Sequence, residues 1–261
     1  MIIASESLPR EKLLELVAQY ALSDTMRIRL SSGLFEILTT GVTVKQVGFV
    51  PLIHLNKVRL STLETFMKTA LDLSIALPGV VLLSPLLAAI AIAVKLDSPG
   101  PALYRRRVVG RGGREFDAFK FRTMVVNGDE VLAAHPELAA ELKQNHKLED
   151  DPRVTRVGRF LRRWSLDELP QLRNVLRRQM SLVGPRMITA EELEKYGKWD
   201  MNLLTVWPGL TGMWQISGRS ERSYEERVQI DMQYIRNYTI WLDLQILIET
   251  LPAVIRGRGA Y

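Results

Sequence analysis

From Leu73 to Val94 the chain runs for 22 residues without a charge: LSIALPGVVLLSPLLAAIAIAV. A helix of that length rises roughly 33 Å at ~1.5 Å per residue, enough for a bilayer core of ~30 Å. A core helix buried on all sides is the alternative, and this run is long for one. Two features argue against a simple span. Pro78 and Pro85 lie inside the run, and a proline removes a backbone hydrogen bond and kinks the helix; Ser84 can satisfy a freed carbonyl. Basic residues also flank both ends, with Lys57, Arg59 and Lys68 before and Lys95 and Arg105 to Arg107 after. The positive-inside bias then assigns no orientation. The pattern predicts a re-entrant helix that enters the membrane, bends at Ser84-Pro85 and returns, with both ends on the cytoplasmic side.

The chemistry concentrates further on, in RVTRVGRFLRRWSLDELPQLRNVLRRQMSLVGPR, Arg153 to Arg186. Eight arginines and no lysine lie between Arg153 and Arg178, and the only carboxylates there are Asp167 and Glu168, side by side. Arginines bind phosphate bidentately and stay charged. Nearby cations should hold a carboxylate ionised, as a nucleophile or metal ligand beside a phosphate site needs. Ser165 and Glu168 fit a capping box, and Pro170 is tolerated only near a helix start, so a helix is expected to begin between Ser165 and Asp167. Both acids then fall in its first turn, where the helix dipole also favours anions. The plainer alternative is that they merely cap a helix among solvated arginines.

The net charge of +6, from 35 basic and 29 acidic residues, suits an anionic partner: a phosphorylated substrate, a membrane surface or nucleic acid. With no cysteine, disulfides and thiolate metal sites are excluded. His54, His135 and His146 show no metal-ligand spacing. Residues 1 to about 60 read as a small mixed unit, with a helix from Glu11 to Tyr20, strands at Arg27 to Leu30 and Gly48 to Leu55, and turns at Gly33 and Gly41. Leu103 to Val109 and Glu115 to Phe121 flank a glycine-rich turn and predict a β-hairpin, and the stretch from Ser98 to Met124 that contains it carries seven basic residues. Lys120 and Arg122 share one face of it and suit either lipid headgroups or a phosphate. Glu130 to Lys147 is helical, interrupted at Pro136. Ser181 to Arg186 is a tight loop that fixes Arg186, and Trp207 to Arg219 is a second loop ending on Arg219. Glu225 to Tyr238 reads as a helix, and Trp241 to Ile255 as either an interfacial or a core helix.

Five ordered motifs carry a family: the apolar run with Ser84-Pro85, then YRRRVVGRGGREFDAFKFRTM, SLDELPQLRNVL, MSLVGPR and PGLTGMWQISGR. Together they closely resemble the bacterial sugar transferases, the monotopic polyprenyl-phosphate phosphoglycosyl transferases, over about Phe66 to Tyr261. The resemblance implies an α/β fold, mixed and mainly α: a re-entrant membrane helix with a small cytoplasmic catalytic domain, a β-hairpin and amphipathic interfacial helices. It divides the chain into a partial Rossmann-like segment (1–62), a membrane helix region (63–100) and a catalytic domain (101–261). The first of these resembles the tail of the domain that precedes catalysis in larger members, so the chain is expected to be a fragment or a short form.

The implied activity transfers a sugar phosphate from a UDP-sugar to undecaprenyl phosphate at the cytoplasmic face of the bacterial inner membrane. UMP leaves, and synthesis of exopolysaccharide, capsule, O-antigen or a glycoprotein glycan begins. The implied partners are those two substrates and membrane lipids, with room for a homo-oligomer and no nucleic acid. The family nucleophile maps to Asp167, with Glu168 beside it. Mg2+ is the implied cofactor, with Asp167 as ligand, and Lys120, Arg122, Arg186 and Arg219 are the substrate-binding candidates. From the residues alone the two acids can exchange roles, Glu168 attacking while Asp167 holds the metal. The sequence departs from the family where a glycine and an acid are usual: Arg178 and Gln179 stand there, and Met187 replaces a proline. A scaffold of the same fold with weakened catalysis is therefore the rival reading.

Overall fold

A computed structural model describes residues 60–145, 148, 151–217 and 223–255, with residues 9 and 12 and the backbone of four earlier strands. The chain forms two compact units, Met1–Val58 and Arg59–Tyr261. In the first, β1 (Ile2–Ala4) pairs in parallel with β2 (Arg29–Ser31), and β3 (Thr39–Val47) pairs antiparallel with β4 (Val50–Lys57). The expected turn at Gly41 is instead part of β3, whose register shifts between Thr39 and Val42. Glycine there marks an irregularity inside a strand rather than its end. The turn expected at Gly33 and nearly all of the helix expected from Glu11 to Tyr20 lie outside the described residues.

The second unit opens with α1 (Thr62–Asp97), 36 residues long. Ser61 starts it with a capping box: its hydroxyl accepts from the Glu64 N–H, and Glu64 accepts from the Ser61 N–H. The helix continues through Pro78 and Pro85. Proline at 85 leaves the Val81 carbonyl without its helical donor, and the Ser84 hydroxyl donates to it at 2.8 Å. Its buried residues fall in two groups, Lys68, Asp72 and Ala76 near one end and Ile90 and Val94 near the other; residues 77–89 between them include none. Among the described residues it is the one helix long and apolar enough to cross a membrane.

The predicted hairpin forms: β5 (Leu103–Val109) pairs antiparallel with β6 (Glu115–Phe121), Leu103 opposite Phe121 and Tyr104 opposite Lys120. α2 (Gly128–Ala133) and α3 (Pro136–Asn145) divide at Pro136 as expected. α4 (Arg156–Arg163), capped by Thr155, presses on the chain after β6. A Cβ at Gly158 would sit 2.1 Å from the Thr123 carbonyl oxygen, so only glycine permits this approach. Ile90, Val94, Phe121 and Leu161 form the core between α1, β6 and α4. A 3₁₀ turn over Leu166–Gln171 leads into α5 (Leu172–Leu176), β7 (Ser181–Val183), α6 (Ala190–Glu194), α7 (Asp200–Leu203), β8 (Gly209–Thr211), α8 (Met213–Ile216), α9 (Tyr224–Arg236) and α10 (Ile240–Ile255).

The segments read as two separate loops, 181–186 and 207–219, meet as a parallel pair, with Ser181 opposite Gly209 and Val183 opposite Thr211. Gly184, Gly209 and Gly212 cross there so closely that a Cβ on any of them would come within 2.4 Å of backbone. Two buried polar groups tie α1 to this pair. The Lys68 ammonium donates to Asp243 at 2.6 Å, the Val183 carbonyl at 2.9 Å and the Tyr234 hydroxyl at 3.2 Å. Asp72 accepts from the Ser181 hydroxyl and the Leu182 N–H. α10 has a core face, with Asp243 and Ile246 buried, and an exposed apolar face on which Trp241, Ile248 and Leu251 are at least two-thirds exposed.

Candidate active site

Strand alternation on β6 buries Phe119 and Phe121 and leaves Lys120 half-buried on the other face. Asn174, wholly buried on α5, holds that strand: its side chain accepts from the Phe119 N–H and donates to the Asp117 carbonyl. Lys120 therefore meets the acid pair, 2.5 Å from Glu168 and 4.0 Å from Asp167.

The chain reaches the acids differently from the sequence expectation. Ser165 is left-handed, with φ of 53°, and makes no side-chain cap bond; the turn after it is 3₁₀. Glu168, needed to close a capping box, bonds Lys120 instead, and Pro170 denies the segment an α-helical hydrogen bond. Asp167 is 9% exposed, and burial raises its pKa to about 6, against the opposing pull of Lys120. The expectation that surrounding arginines keep its affinity for protons low is thus corrected: desolvation outweighs them. Some of those arginines have other partners. Arg153 pairs with Asp151, and Arg173 lies over Phe119. Arg162 does help: its Nε donates to Thr123, and its charge favours the ionised form of Asp167. The shortest contact also separates the two acids. Glu168 is paired with Lys120, whereas Asp167 is buried beside it with its pKa raised above the usual carboxylate value.

Arg186 follows the glycine crossing and bridges to Gly209. Its guanidinium lies 5.1 Å over the Trp214 ring; burial lowers its pKa, opposed by the nearby Glu168 charge. Arg227 stacks on Trp214 as well, at 4.8 Å. Behind them Asp231, 1% exposed, accepts from the Tyr196 hydroxyl. Burial raises its pKa to about 7, with Arg227 opposing. Arg162, Arg227 and Asp231 were missed as site residues. A signal for Asp231 exists: it is a carboxylate in the apolar series Val228, Met232, Ile235 of α9.

The structure does not bring Arg122 into this group. It is buried, and its guanidinium donates to the Pro99, Ser98 and Val94 carbonyls at the end of α1. Arg219 lies outside the described residues. Ser84 and Pro85 lie mid-way along α1. Arg178, where family resemblance gives glycine, has φ of 58°, the left-handed region that favours glycine. Gln179, at the usual acid, accepts from Asn174 and so supports the strand clamp.

Among the described residues no group of three or more metal-ligating side chains converges. Two adjacent carboxylates still fit Mg2+, which is commonly bound through one or two carboxylates plus substrate phosphates. In total, the site offers a buried basic carboxylate, a neutralised one beside it, and cations at Lys120, Arg162 and Arg186. That set suits attack on a phosphorus atom whose oxygens carry charge.

A family model described as bacterial sugar transferase matches residues 63–257. The chain is 46% identical over 200 residues to the undecaprenyl-phosphate galactose phosphotransferase of Salmonella typhimurium, across 75% of this chain and 42% of that protein. It is 45% identical over 198 residues to the exopolysaccharide production protein ExoY of Rhizobium meliloti, 74% of this chain and 88% of that one. It is 36% identical to the UDP-glucose:undecaprenyl-phosphate glucose-1-phosphate transferase of Escherichia coli, 99% of this chain and 55% of that one. The chain thus spans less than half of the Salmonella protein and about half of the Escherichia coli one.

Proposed function

The chain belongs to the bacterial sugar transferase family, and on that premise we propose that it moves a sugar 1-phosphate from a UDP-sugar to undecaprenyl phosphate through a covalent intermediate on Asp167. The observation that carries this reading is the unequal acid pair: Lys120 neutralises Glu168 at 2.5 Å and leaves Asp167 buried with a raised pKa. A carboxylate with higher proton affinity is the better nucleophile, and at pH 7 it is still largely ionised. An Asp167 oxygen attacks the sugar-bearing phosphorus. The bond from that phosphorus to the bridging oxygen breaks, and UMP leaves with the electron pair. An oxygen of undecaprenyl phosphate then attacks the same phosphorus and releases the carboxylate. Lys120, Arg162 and Arg186 offset charge on the phosphate oxygens. Mg2+, held by Asp167 and Glu168 with the substrate phosphates, would supply further charge neutralisation.

The site would sit at the headgroup level on the cytoplasmic face of the inner membrane. What supports this is α1: both of its ends pack on the one compact unit, and its exposed apolar middle lies between them. Cysteines are absent from the chain, so single cysteines at Met67 and Leu96 report cleanly. Equal labelling by an impermeant thiol reagent is expected for a re-entrant helix; opposite labelling means a span. The rival reading, a scaffold with lost turnover, came from Arg178 and Gln179, and Gln179 has a structural partner in Asn174.

The decisive experiment is single turnover. A UDP-sugar alone should label the protein and release UMP in proportion to active sites. Asp167→Asn should abolish labelling and slow turnover by on the order of 10³-fold or more. A phosphosugar found on Glu168 would reverse the roles, and UMP release only in the presence of the lipid phosphate would rule out the covalent route.

A further inference from the structure

A groove with about 450 Å³ of open volume runs between the second half of α1 and α4, within the ~300–1,000 Å³ typical of ligand pockets. Its walls are Ala89 and Ala93 on α1 with Val157, Phe160 and Leu161 on α4, and Arg156 is the one charged residue lining it. The small side chains at 89 and 93, one turn apart, keep the groove open on the helix side. The Val157 N–H donates to Asp97, which fixes the spacing of the two helices at one end. Phe160 is more than half exposed although it is a wall residue.

The position of the groove indicates its occupant. Leu161 and Ile90 line it and belong to the buried cluster that also contains Phe121, with Leu166 packed against it. Phe121 and Leu166 adjoin Lys120 and Asp167 in sequence, so the cluster behind the groove extends to the immediate chain neighbours of the site. The groove is apolar, opens beside a helix able to enter a membrane, and carries an arginine whose apolar stem can line it while the cation meets a lipid phosphate.

We propose that this groove binds the phosphate-proximal stretch of the acceptor's polyprenyl chain. The inference rests on the proposed activity for its choice of lipid. The groove is far too small for a whole long chain, so it grips only the part nearest the reacting phosphate. It would thereby orient the lipid phosphate towards Asp167 and distinguish a branched prenyl chain from the surrounding straight acyl chains.

The test uses the full chain in phospholipid nanodiscs and a polyprenyl phosphate carrying a diazirine near its phosphate end. Light should label peptides covering 86–95 and 156–163. Ala93→Phe, which fills the groove, should cut labelling about tenfold and raise the KM for undecaprenyl phosphate about tenfold, a loss of ~1.4 kcal/mol of binding. Ala88→Phe adds the same bulk outside the groove lining and should change neither. If Ala93→Phe fails a thermal-unfolding check, Phe160→Ala, which opens a wall without adding bulk, carries the same expectation of weaker labelling. Equal labelling of the two phenylalanine variants, or labelling spread evenly along α1, would overturn the proposal. So would displacement of the probe by ordinary phospholipid as readily as by undecaprenyl phosphate, since the groove would then hold any acyl chain. Groove labelling without UMP release by the wild type would sink the proposed activity and leave the groove standing as a prenyl-lipid site. UMP release with no groove effect would do the reverse.

Discussion

Replacing Lys68 with methionine keeps most of the side-chain volume and removes one buried cation. The ammonium is 2% exposed and bonds Asp243, Val183 and Tyr234; Asp243 is 1% exposed and, once Lys68 is gone, keeps the Tyr234 hydroxyl at 2.8 Å but loses the cation paired with it. An uncompensated buried carboxylate costs ~3–5 kcal/mol. At ~2–4 °C per kcal/mol for a domain of this size, thermal unfolding in nanodiscs should fall by roughly 6–20 °C. Adding Asp243→Leu removes the orphaned charge, and an apolar pair of similar volume is often neutral or stabilising. The double variant should therefore unfold near the wild-type temperature, giving a coupling of several kcal/mol. Activity should not recover with it. Val183 lies three residues before Arg186, and the double variant still lacks the ammonium that grips the Val183 carbonyl. Turnover should stay depressed while stability returns. If the losses of the two single variants simply add, or if Lys68→Met costs less than ~1 kcal/mol, the pair is not acting as a buried, mutually dependent unit.

Further outcomes follow from single groups. If Asp167 is the nucleophile proposed above, the acid limb of kcat/KM for the UDP-sugar, measured at low Mg2+, should lie near pH 6, because the attacking carboxylate has to be ionised and burial raises its pKa to about 6; a limb near 4 would contradict this. Asp231 holds its proton up to about pH 7 in the fold but, on its usual value of 3.8, loses it earlier when unfolded. Its contribution to stability is therefore full below about 4 and falls as pH rises towards 7. Asp231→Asn should lose that fall, raising the unfolding temperature at pH 8 relative to wild type more than at pH 4. Arg178→Gly should stabilise the protein by up to ~1 kcal/mol, since glycine adopts the φ of 58° without a side-chain clash; a loss of stability would show that the arginine side chain makes a compensating contact.

The parts of this molecule legible in its sequence are those written in local pattern. The uncharged run gave α1, the alternation around a glycine-rich turn gave the hairpin, and an acid pair among arginines marked the site. Lys120 was readable because strand alternation fixes its face. The missed features depend on contacts between distant residues. S-x-x-E at Ser165 looks like a capping box, but Lys120, 48 residues before Glu168, competes for the carboxylate. β7 and β8 have three residues each, too few to show a period of two. Arg122 shares its strand side with Lys120, yet the end of α1 supplies three carbonyls that draw it away. Arg162 could not be singled out because nothing in sequence says that α4 folds back over Thr123.

The glycine crossing at Gly184, Gly209 and Gly212 bears on exchanging parts between relatives. Residues 181–186 and 207–214 interlock with backbone against backbone, so neither has a separable shape to be transplanted. A chimera that imports only the 207–214 segment to alter sugar choice brings a surface cut for a different mate, and any added methyl group at the crossing lands on a peptide atom. Arg186 leaves that junction directly, so the mismatch would shift the cation that lies over Trp214 in the same event. The two segments should be exchanged as one cassette, together with residues 68 and 72 of the long helix that grip it from the other side.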